Sequence, residues 1–229
     1  MTHRKPRTSQ VGRKAAQLGM LAIACTAGIA TTASPAGATS SARTVTRDVG
    51  IAMDEAHAKA TPRNRFDYDE EFAIRELGTR IGVGARNKAV ARSVGCSLDN
   101  PCRSVALSFQ IVTTNGTLTR LNATNTSRAV NDHCEGCQTF AGAYQFIVST
   151  PYSFTLSRST RNELARLERR LGELERSREA VHVVKARADS LAAEVVTLLQ
   201  QALAAAPRSA NVSPSGIFTP TVTMRRHID

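Results

Sequence analysis

Four cysteines are the residues of this chain whose types and spacing could do chemistry: Cys96, Cys102, Cys134 and Cys137. The fifth cysteine, Cys25, lies in an N-terminal segment that we expect to be removed. An even number of cysteines in an exported chain predicts disulfides, and four cysteines allow three pairings. Thiols in close pairs could also bind zinc or take part in redox exchange.

An internal duplication surrounds these cysteines and covers residues 87–112 and 125–148. In each copy an asparagine, Asn87 or Asn125, stands nine residues before the first cysteine. After the second cysteine the matched residues are Ser104 with Thr139, Ala106 with Ala141, Phe109 with Tyr144, and Gln110 with Gln145. The duplication favours local pairing, Cys96 with Cys102 and Cys134 with Cys137. A tight turn permits such pairs, because its ends lie within ~7 Å and a disulfide needs Cα atoms ~4.4–6.8 Å apart.

Redox and metal chemistry remain alternatives at the second pair. Cys134-Glu-Gly-Cys137 has the spacing of a redox motif, but such a motif opens a helix, and strand-like sequence follows here. With His133 the thiolates could hold zinc, although the first pair is spaced more widely than in zinc knuckles and export favours oxidation. Haem attachment in its usual form is excluded because Gln138 follows Cys137. No Ser-His-Asp or paired-carboxylate set can be placed, so we predict no catalytic residue, cofactor or metal.

The segments on either side of the cysteines, which must position them, are predicted to be β-strands. Each copy predicts a hairpin whose tip lies between its own two cysteines. Alternation gives the second strands a bulky face of Val105, Leu107, Phe109, Ile111, Phe140, Tyr144, Phe146 and Val148, and a small face of Ser104, Ala106, Ser108, Gln110, Thr139, Ala141, Ala143 and Gln145. Asn115-Gly116 predicts a tight turn between the copies. We therefore expect an α+β fold, a small antiparallel β-meander of about four strands with a long C-terminal amphipathic helix.

Helical periodicity appears at two places. Leucines and small apolar residues recur at steps of three and four over 159–206, which predicts an amphipathic helix. A single helix of that length would span about 70 Å, so it either breaks near Arg176 to Val181 or projects and self-associates. Acidic residues at the start of Asp67 to Arg80 favour a shorter helix there, since negative charge suits a helix N-terminus.

The first 38 residues have the layout of a secretory signal peptide. A basic start, a short apolar run and Ala36-Gly37-Ala38 are typical of one. An uncleaved anchor and a lipoprotein modified at Cys25 are the alternatives. The apolar run is too short for a stable span, so we expect the mature chain to have no membrane span.

Charge limits the range of partners. The 229 residues carry a formal net charge of +11, with 41% hydrophobic residues and no tryptophan. After Ala38 there remain 25 basic and 19 acidic residues, a mature net charge of +6. Basic residues are not interleaved with aromatic ones, so we expect no nucleic-acid binding. This charge distribution favours a basic surface that lies against anionic cell-envelope material over a nucleic-acid-binding site.

The segment from Cys102-Arg-Ser-Val-Ala-Leu-Ser-Phe-Gln to Cys134-x-x-Cys137-Gln-Thr-Phe-Ala-Gly-Ala-Tyr-Gln resembles a recurring segment of exported actinobacterial proteins. Some of those proteins are labelled peptide zinc metalloproteases. No His-Glu-x-x-His motif occurs in this chain, so the resemblance implies a cell-envelope setting and no protease activity.

Together these observations predict a signal peptide (1–38), a flexible leader (39–64), a β-rich domain (65–158), the helix (159–206) and a disordered tail (207–229). The predicted function is a secreted or cell-surface structural or binding module without catalytic activity. It would have a cell-envelope partner, or self-associate through the helix. The alternative function is a thiol-redox or zinc-binding exported protein that uses Cys134 and Cys137.

Overall fold

The structure is a computed structural model that describes residues 48–116, 119–177, 179–206 and 220–229. The predicted signal peptide, the leader up to residue 47 and residues 207–219 of the predicted tail lie outside this range. None of the helices in the described ranges combines the length and the apolar character that crossing a membrane requires.

Seven strands and two α-helices make up the described part of the chain. Six strands come first: β1 (Val49–Ala60), β2 (Phe66–Thr79), β3 (Gly82–Val94), β4 (Arg103–Asn115), β5 (Arg120–Asp132) and β6 (Gln138–Thr150). Helix α1 (Arg158–Glu173), a 3₁₀ turn (Leu174–Arg176), helix α2 (Val181–Ala204) and strand β7 (Thr221–Ile228) follow.

Consecutive strands alternate between two sheets. The three-stranded sheet has the order β1-β3-β5, and the four-stranded sheet has the order β2-β4-β6-β7. Every pairing among the first six strands is parallel, and β7 joins β6 in antiparallel orientation. The chain therefore winds through three coils, each with one strand in each sheet, which is the layout of a β-solenoid.

The predicted antiparallel meander of about four strands is wrong. Alternation of side chains with period two is the same in parallel and antiparallel strands, so it did not reveal which strands pair. The Asn115-Gly116 turn, in which Gly116 has a φ of 115°, leads from β4 into the opposite sheet instead of back alongside β4. The two cysteine-containing loops likewise connect strands of different sheets.

Residues matched in the duplication are direct neighbours in the sheets. Asn87 of β3 lies in register with Asn125 of β5. In the same way Ser104 pairs with Thr139, Ala106 with Ala141, Phe109 with Tyr144, and Gln110 with Gln145. Equal positions in successive coils thus stack on one another, as stacked repeats require.

The space between the two sheets is filled mainly by small side chains. The central buried cluster consists of Ala56, Ala58, Ala89, Ala91, Ala106, Ala141 and Ala143. The small face predicted for β4 and β6 is therefore the interior surface of the solenoid. Two polar ladders also cross this interior, one formed by Asn87 and Asn125 and the other by Gln110 and Gln145.

Both helices pack against the outer face of the four-stranded sheet. Bulky residues of β4 and β6, such as Phe109 and Tyr144, contact leucines of the predicted helical seam, such as Leu164 and Leu199, in one buried cluster. The predicted helical segment forms two helices, since α1 ends at the 3₁₀ turn and α2 begins at Val181. This break lets both halves of the seam cover the sheet.

Three segments outside the duplication adopt a structure that their sequence did not suggest, and one of them is strand β7 in the predicted disordered tail. Residues 67–79, predicted to be helical, belong to strand β2. Residues 49–60, in the segment interpreted as a flexible leader, form strand β1, and its small even-numbered residues are buried. The helix prediction was wrong because acidic residues of β2 accept hydrogen bonds from the edge strand β1 and do not stabilise a helix N-terminus.

Candidate functional site

The four cysteines converge on one side of the solenoid, where the loops of two successive coils stack. Cys96 and Cys102 lie on the connection from β3 to β4, and Cys134 and Cys137 lie on the connection from β5 to β6. The local pairing is the one present, with Cα atoms 5.8 Å apart in the first pair and 5.7 Å apart in the second. All four Sγ atoms lie within 4.8 Å of one another. The stacking of the coils thus joins two pairs that are separate in sequence.

The sulfur cluster is largely screened from solvent. Cys96 and Cys102 are buried beside Ala60, while Cys134 and Cys137 are half-buried. The backbone N–H of Cys102 donates a hydrogen bond of 3.2 Å to Cys137 Sγ, which links the two coils. In the second loop Gly136 has a φ of 69°, a left-handed conformation that suits glycine and closes the two-residue turn.

A cleft of about 600 Å³ opens beside the cluster, lined on one side by Cys102 and Gly136 and on the other by Tyr68 and Glu175. Arg103 also lines it, and burial lowers the pKa of its guanidinium. Near it, burial raises the pKa of the Glu70 carboxyl to about 7, assisted by the charge of Glu175. The lining of the cleft therefore combines one cation, Arg103, with the carboxylates of Asp67 and Glu175.

A second candidate surface is the outer face of the three-stranded sheet, which no described element covers. Its cationic side chains are Lys59, Arg86, Lys88, Arg92, Arg120 and Arg128, against two carboxylates, Glu55 and Asp132. We call this surface the basic face. Two of its cations are paired, Lys88 with Glu55 and Arg92 with Asp132. Hydrogen bonds from Arg92 and then His133 lower the pKa of Asp132.

The other four cations of the basic face lack a carboxylate within ion-pair distance among the described residues. Arg120 and Arg128 lie on the same strand, about 26 Å apart at ~3.3 Å per residue. Arg86 and Lys59 extend the positive charge across β3 and β1. No Phe, Tyr or Trp side chain projects from the three strands of this face, so it lacks the large aromatic rings on which bases stack.

The edges of the three-stranded sheet are closed by side chains of the opposite sheet. At one edge, carboxylates of β2 accept hydrogen bonds from backbone N–H groups of β1, Asp69 from His57 and Asp67 from Lys59. Inward-pointing charged residues of this kind prevent edge strands from pairing with other chains.

The other edge is closed by β7. His227 Nδ1 accepts a hydrogen bond from the Ser127 N–H at 3.1 Å, and Asp229 Oδ2 accepts one from the Ala129 N–H at 2.9 Å. Arg225 Nη1 donates to the carbonyl oxygen of Ala123 at 2.8 Å. These residues lie in the segment that we predicted to be a disordered tail, so the sequence analysis missed their role. Only knowledge that β5 is an edge strand would have revealed it.

The histidines do not assemble a catalytic set in the described residues. His133 is exposed beside Asp132, and His57 pairs with Glu55 on the basic face. Ser127 Oγ lies 2.9 Å from His227 Nδ1, which resembles a nucleophile and its base. The same nitrogen also accepts the Ser127 backbone N–H, and the Asp229 carboxylate binds a backbone N–H instead of the imidazole. This pair therefore serves to close the β5 edge.

No protein-family model matches the chain, and searches of curated proteins and of solved structures found no significant similarity. Function must accordingly be argued from the geometry of the chain itself.

Proposed function

We propose that this protein is an exported, non-catalytic binding module whose basic face holds an anionic polymer of the cell envelope. The observation that carries the proposal is the basic face itself, a sheet surface with four cations that lack a carboxylate partner among the described residues. Its length of about 26 Å suits an extended chain more than a small molecule. Repeated coils are known to create extended binding surfaces of this kind.

The chemistry of the basic face favours a polymer without bases. Arginine and lysine attract phosphate and carboxylate groups through charge, and arginine can form two parallel hydrogen bonds with either group. Proteins that bind single-stranded nucleic acids also stack the bases on aromatic side chains, and the strands of this face present no Phe, Tyr or Trp. Phosphate- or carboxylate-bearing envelope polymers meet the requirement for charge alone.

Binding to long-chain polyphosphate and to polygalacturonate tests the proposal, with oligo(dT) as the nucleic-acid comparison. The double variant R86E/R128E should lose at least about 30-fold in affinity, since each basic residue near an anionic surface contributes about 1 kcal/mol and the introduced carboxylates repel the polymer. Its matched control, R158E/R169E, reverses two exposed arginines of α1 on the opposite side of the four-stranded sheet and should bind like the wild type.

Equal losses in both variants would mean that only net charge matters, and would refute the basic face as the site. Tighter binding to oligo(dT) than to either polymer would replace the proposal with nucleic-acid binding. Export is tested separately by the mass of the protein recovered from the culture medium, which should begin near Thr39.

Self-association through 159–206 remains a second way in which the module could act. The leucine seam is buried against the four-stranded sheet, so an association would have to use the exposed side of the helices. Deletion of 159–206 distinguishes the two roles. Unfolding of the remaining chain would show that the helices serve packing, whereas a folded monomer in place of an oligomer would show that they serve association.

A further inference from the structure

We propose that the four cysteines, once reduced, form a single tetrathiolate site for one Zn²⁺ ion that joins two successive coils. The proposal concerns all four sulfur atoms as one set, and it is independent of what the basic face binds. It differs from a zinc or redox site at Cys134 and Cys137 alone, because the first pair would contribute half of the ligands.

The separations of the sulfur atoms support this site. Zinc binds thiolates at about 2.3 Å in tetrahedral geometry, which places neighbouring sulfur atoms about 3.8 Å apart. All four Sγ atoms lie within 4.8 Å of one another, so the sulfurs of different pairs need to approach by no more than about 1 Å. The bonded sulfurs move apart when each disulfide is reduced. Shifts of this size require rotation of side chains and little movement of the loops.

The surroundings of the cluster also suit a metal. The backbone N–H of Cys102 already donates to Cys137 Sγ at 3.2 Å, and hydrogen bonds of this kind stabilise a metal-bound thiolate. Cys96 and Cys102 are buried, which excludes water from one side of the site. The cleft lined by Cys102 and Gly136 provides an entry path for the ion.

Formation of the zinc site takes two steps, reduction of the disulfides and binding of the metal. A dithiol reductant gives two electrons and two protons to each disulfide and is itself oxidised to a disulfide, which yields four protein thiols. Zn²⁺ then displaces four protons and forms four Zn–S bonds. In the oxidised protein each bridge closes its own loop, whereas in the metal form the ion ties the loop between β3 and β4 to the loop between β5 and β6.

Cobalt(II) titration of the reduced protein tests this site, because a tetrathiolate gives intense thiolate-to-cobalt absorption and characteristic visible bands. The full chain is reduced with a dithiol, freed of it under nitrogen, titrated with Co²⁺, and then with Zn²⁺. We expect one Co²⁺ per chain, a tetrathiolate spectrum, and complete displacement by Zn²⁺. The oxidised protein should show none of these signals.

Two double variants separate the proposed site from a two-cysteine site. In C96A/C102A and in C134A/C137A, Co²⁺ binding should weaken by more than about 100-fold, which exceeds the loss caused by removing a residue that only hydrogen-bonds to a metal ligand. Circular dichroism of each oxidised variant verifies that the β-structure is kept. Should C96A/C102A bind Co²⁺ like the wild type, the site would consist of Cys134 and Cys137, and the proposal would be wrong. Absence of the tetrathiolate spectrum in the reduced wild-type protein would overturn it as well.

Discussion

Replacement of Asn87 by alanine should strongly destabilise the protein, because this residue connects both sheets through the interior. Its side chain is fully buried. The two N–H groups of Asn87 Nδ2 are shared among three acceptors, the carbonyl oxygens of Ser108 and Tyr144, each at 3.1 Å, and Asn125 Oδ1 at 2.9 Å. Asn87 Oδ1 in turn accepts a hydrogen bond from Ser108 Oγ at 2.5 Å. The substitution thus removes the equivalent of three hydrogen bonds and leaves their partners buried.

The magnitude follows from these three hydrogen bonds. At about 1 kcal/mol per bond the loss is about 3 kcal/mol, a large part of the ~5–15 kcal/mol that stabilises a typical domain. Urea unfolding followed by circular dichroism measures it. With a slope of about 2 kcal/mol per molar urea, the midpoint should fall by about 1.5 M.

Asn122→Ala is the matched control for this prediction. Asn122 lies on the neighbouring strand β5 but is exposed on the outer face of the same sheet, so its replacement should change stability by less than about 0.5 kcal/mol. A loss below about 1 kcal/mol in Asn87→Ala, at an unchanged slope, would contradict a polar ladder that holds the two sheets together.

Two further predictions concern the carboxylates. Burial raises the pKa of Glu70 to about 7, so between about pH 4.5 and 7 the folded state holds a proton that the unfolded state has lost, and stability falls as pH rises through this window. Glu70→Gln should therefore stabilise the protein at pH 8 but not at pH 4, and melting temperatures at both pH values that shift equally would contradict the assignment. The double variant D67A/D69A should expose the β1 edge and increase oligomers in size-exclusion chromatography with light scattering, since two N–H groups lose their acceptors. Asp99→Ala, at an exposed turn, is its control, and equal oligomer content in both would argue against edge protection.

The two faces of strands β4 and β6 could be predicted from their own sequence. The strict alternation of β4 and β6 identified one bulky and one small face, and both faces are present as predicted. The local pairing of the cysteines followed from the duplication, since equal copies close in equal ways. Both features depend on residues close together in the chain, where sequence patterns are most informative.

Parallel pairing could not be predicted in this way. Strands β4 and β6 are neighbours in the sheet, yet β5 separates them in sequence. Alternation says which residues share a face but contains no information on the direction of the partner strand. A duplication with aligned asparagines and glutamines was the one available signal, because equal positions stack when coils repeat. The sequence pattern predicts two hairpins side by side, whereas in the structure the two copies form successive coils.

The convergence of the cysteines depends on this same difference. In a meander of two hairpins each cysteine pair would close its own tip, and the two tips would lie two strand spacings, about 10 Å, apart. In a solenoid the loops of successive coils must stack, because their strands are neighbours spaced about 4.8 Å apart. The four-sulfur cluster is therefore a consequence of parallel pairing.

The two ends of the solenoid show why the C-terminal strand belongs to the fold. The two sheets differ by one strand, so the three-stranded sheet ends at β1 and β5 while the four-stranded sheet extends beyond both. At the first end, β2 supplies carboxylates that bind N–H groups of β1. At the other end no fourth coil follows, and β7 supplies His227 and Asp229 to the N–H groups of β5. An antiparallel strand from a distant part of the chain thus does at one end what a parallel strand does at the other. Without β7, β5 would present an uncovered edge together with the polar interior beneath it. Solenoids require such caps to remain soluble, and a cap must differ in sequence from the repeats that it covers. For this reason the internal repeat of the sequence did not predict β7.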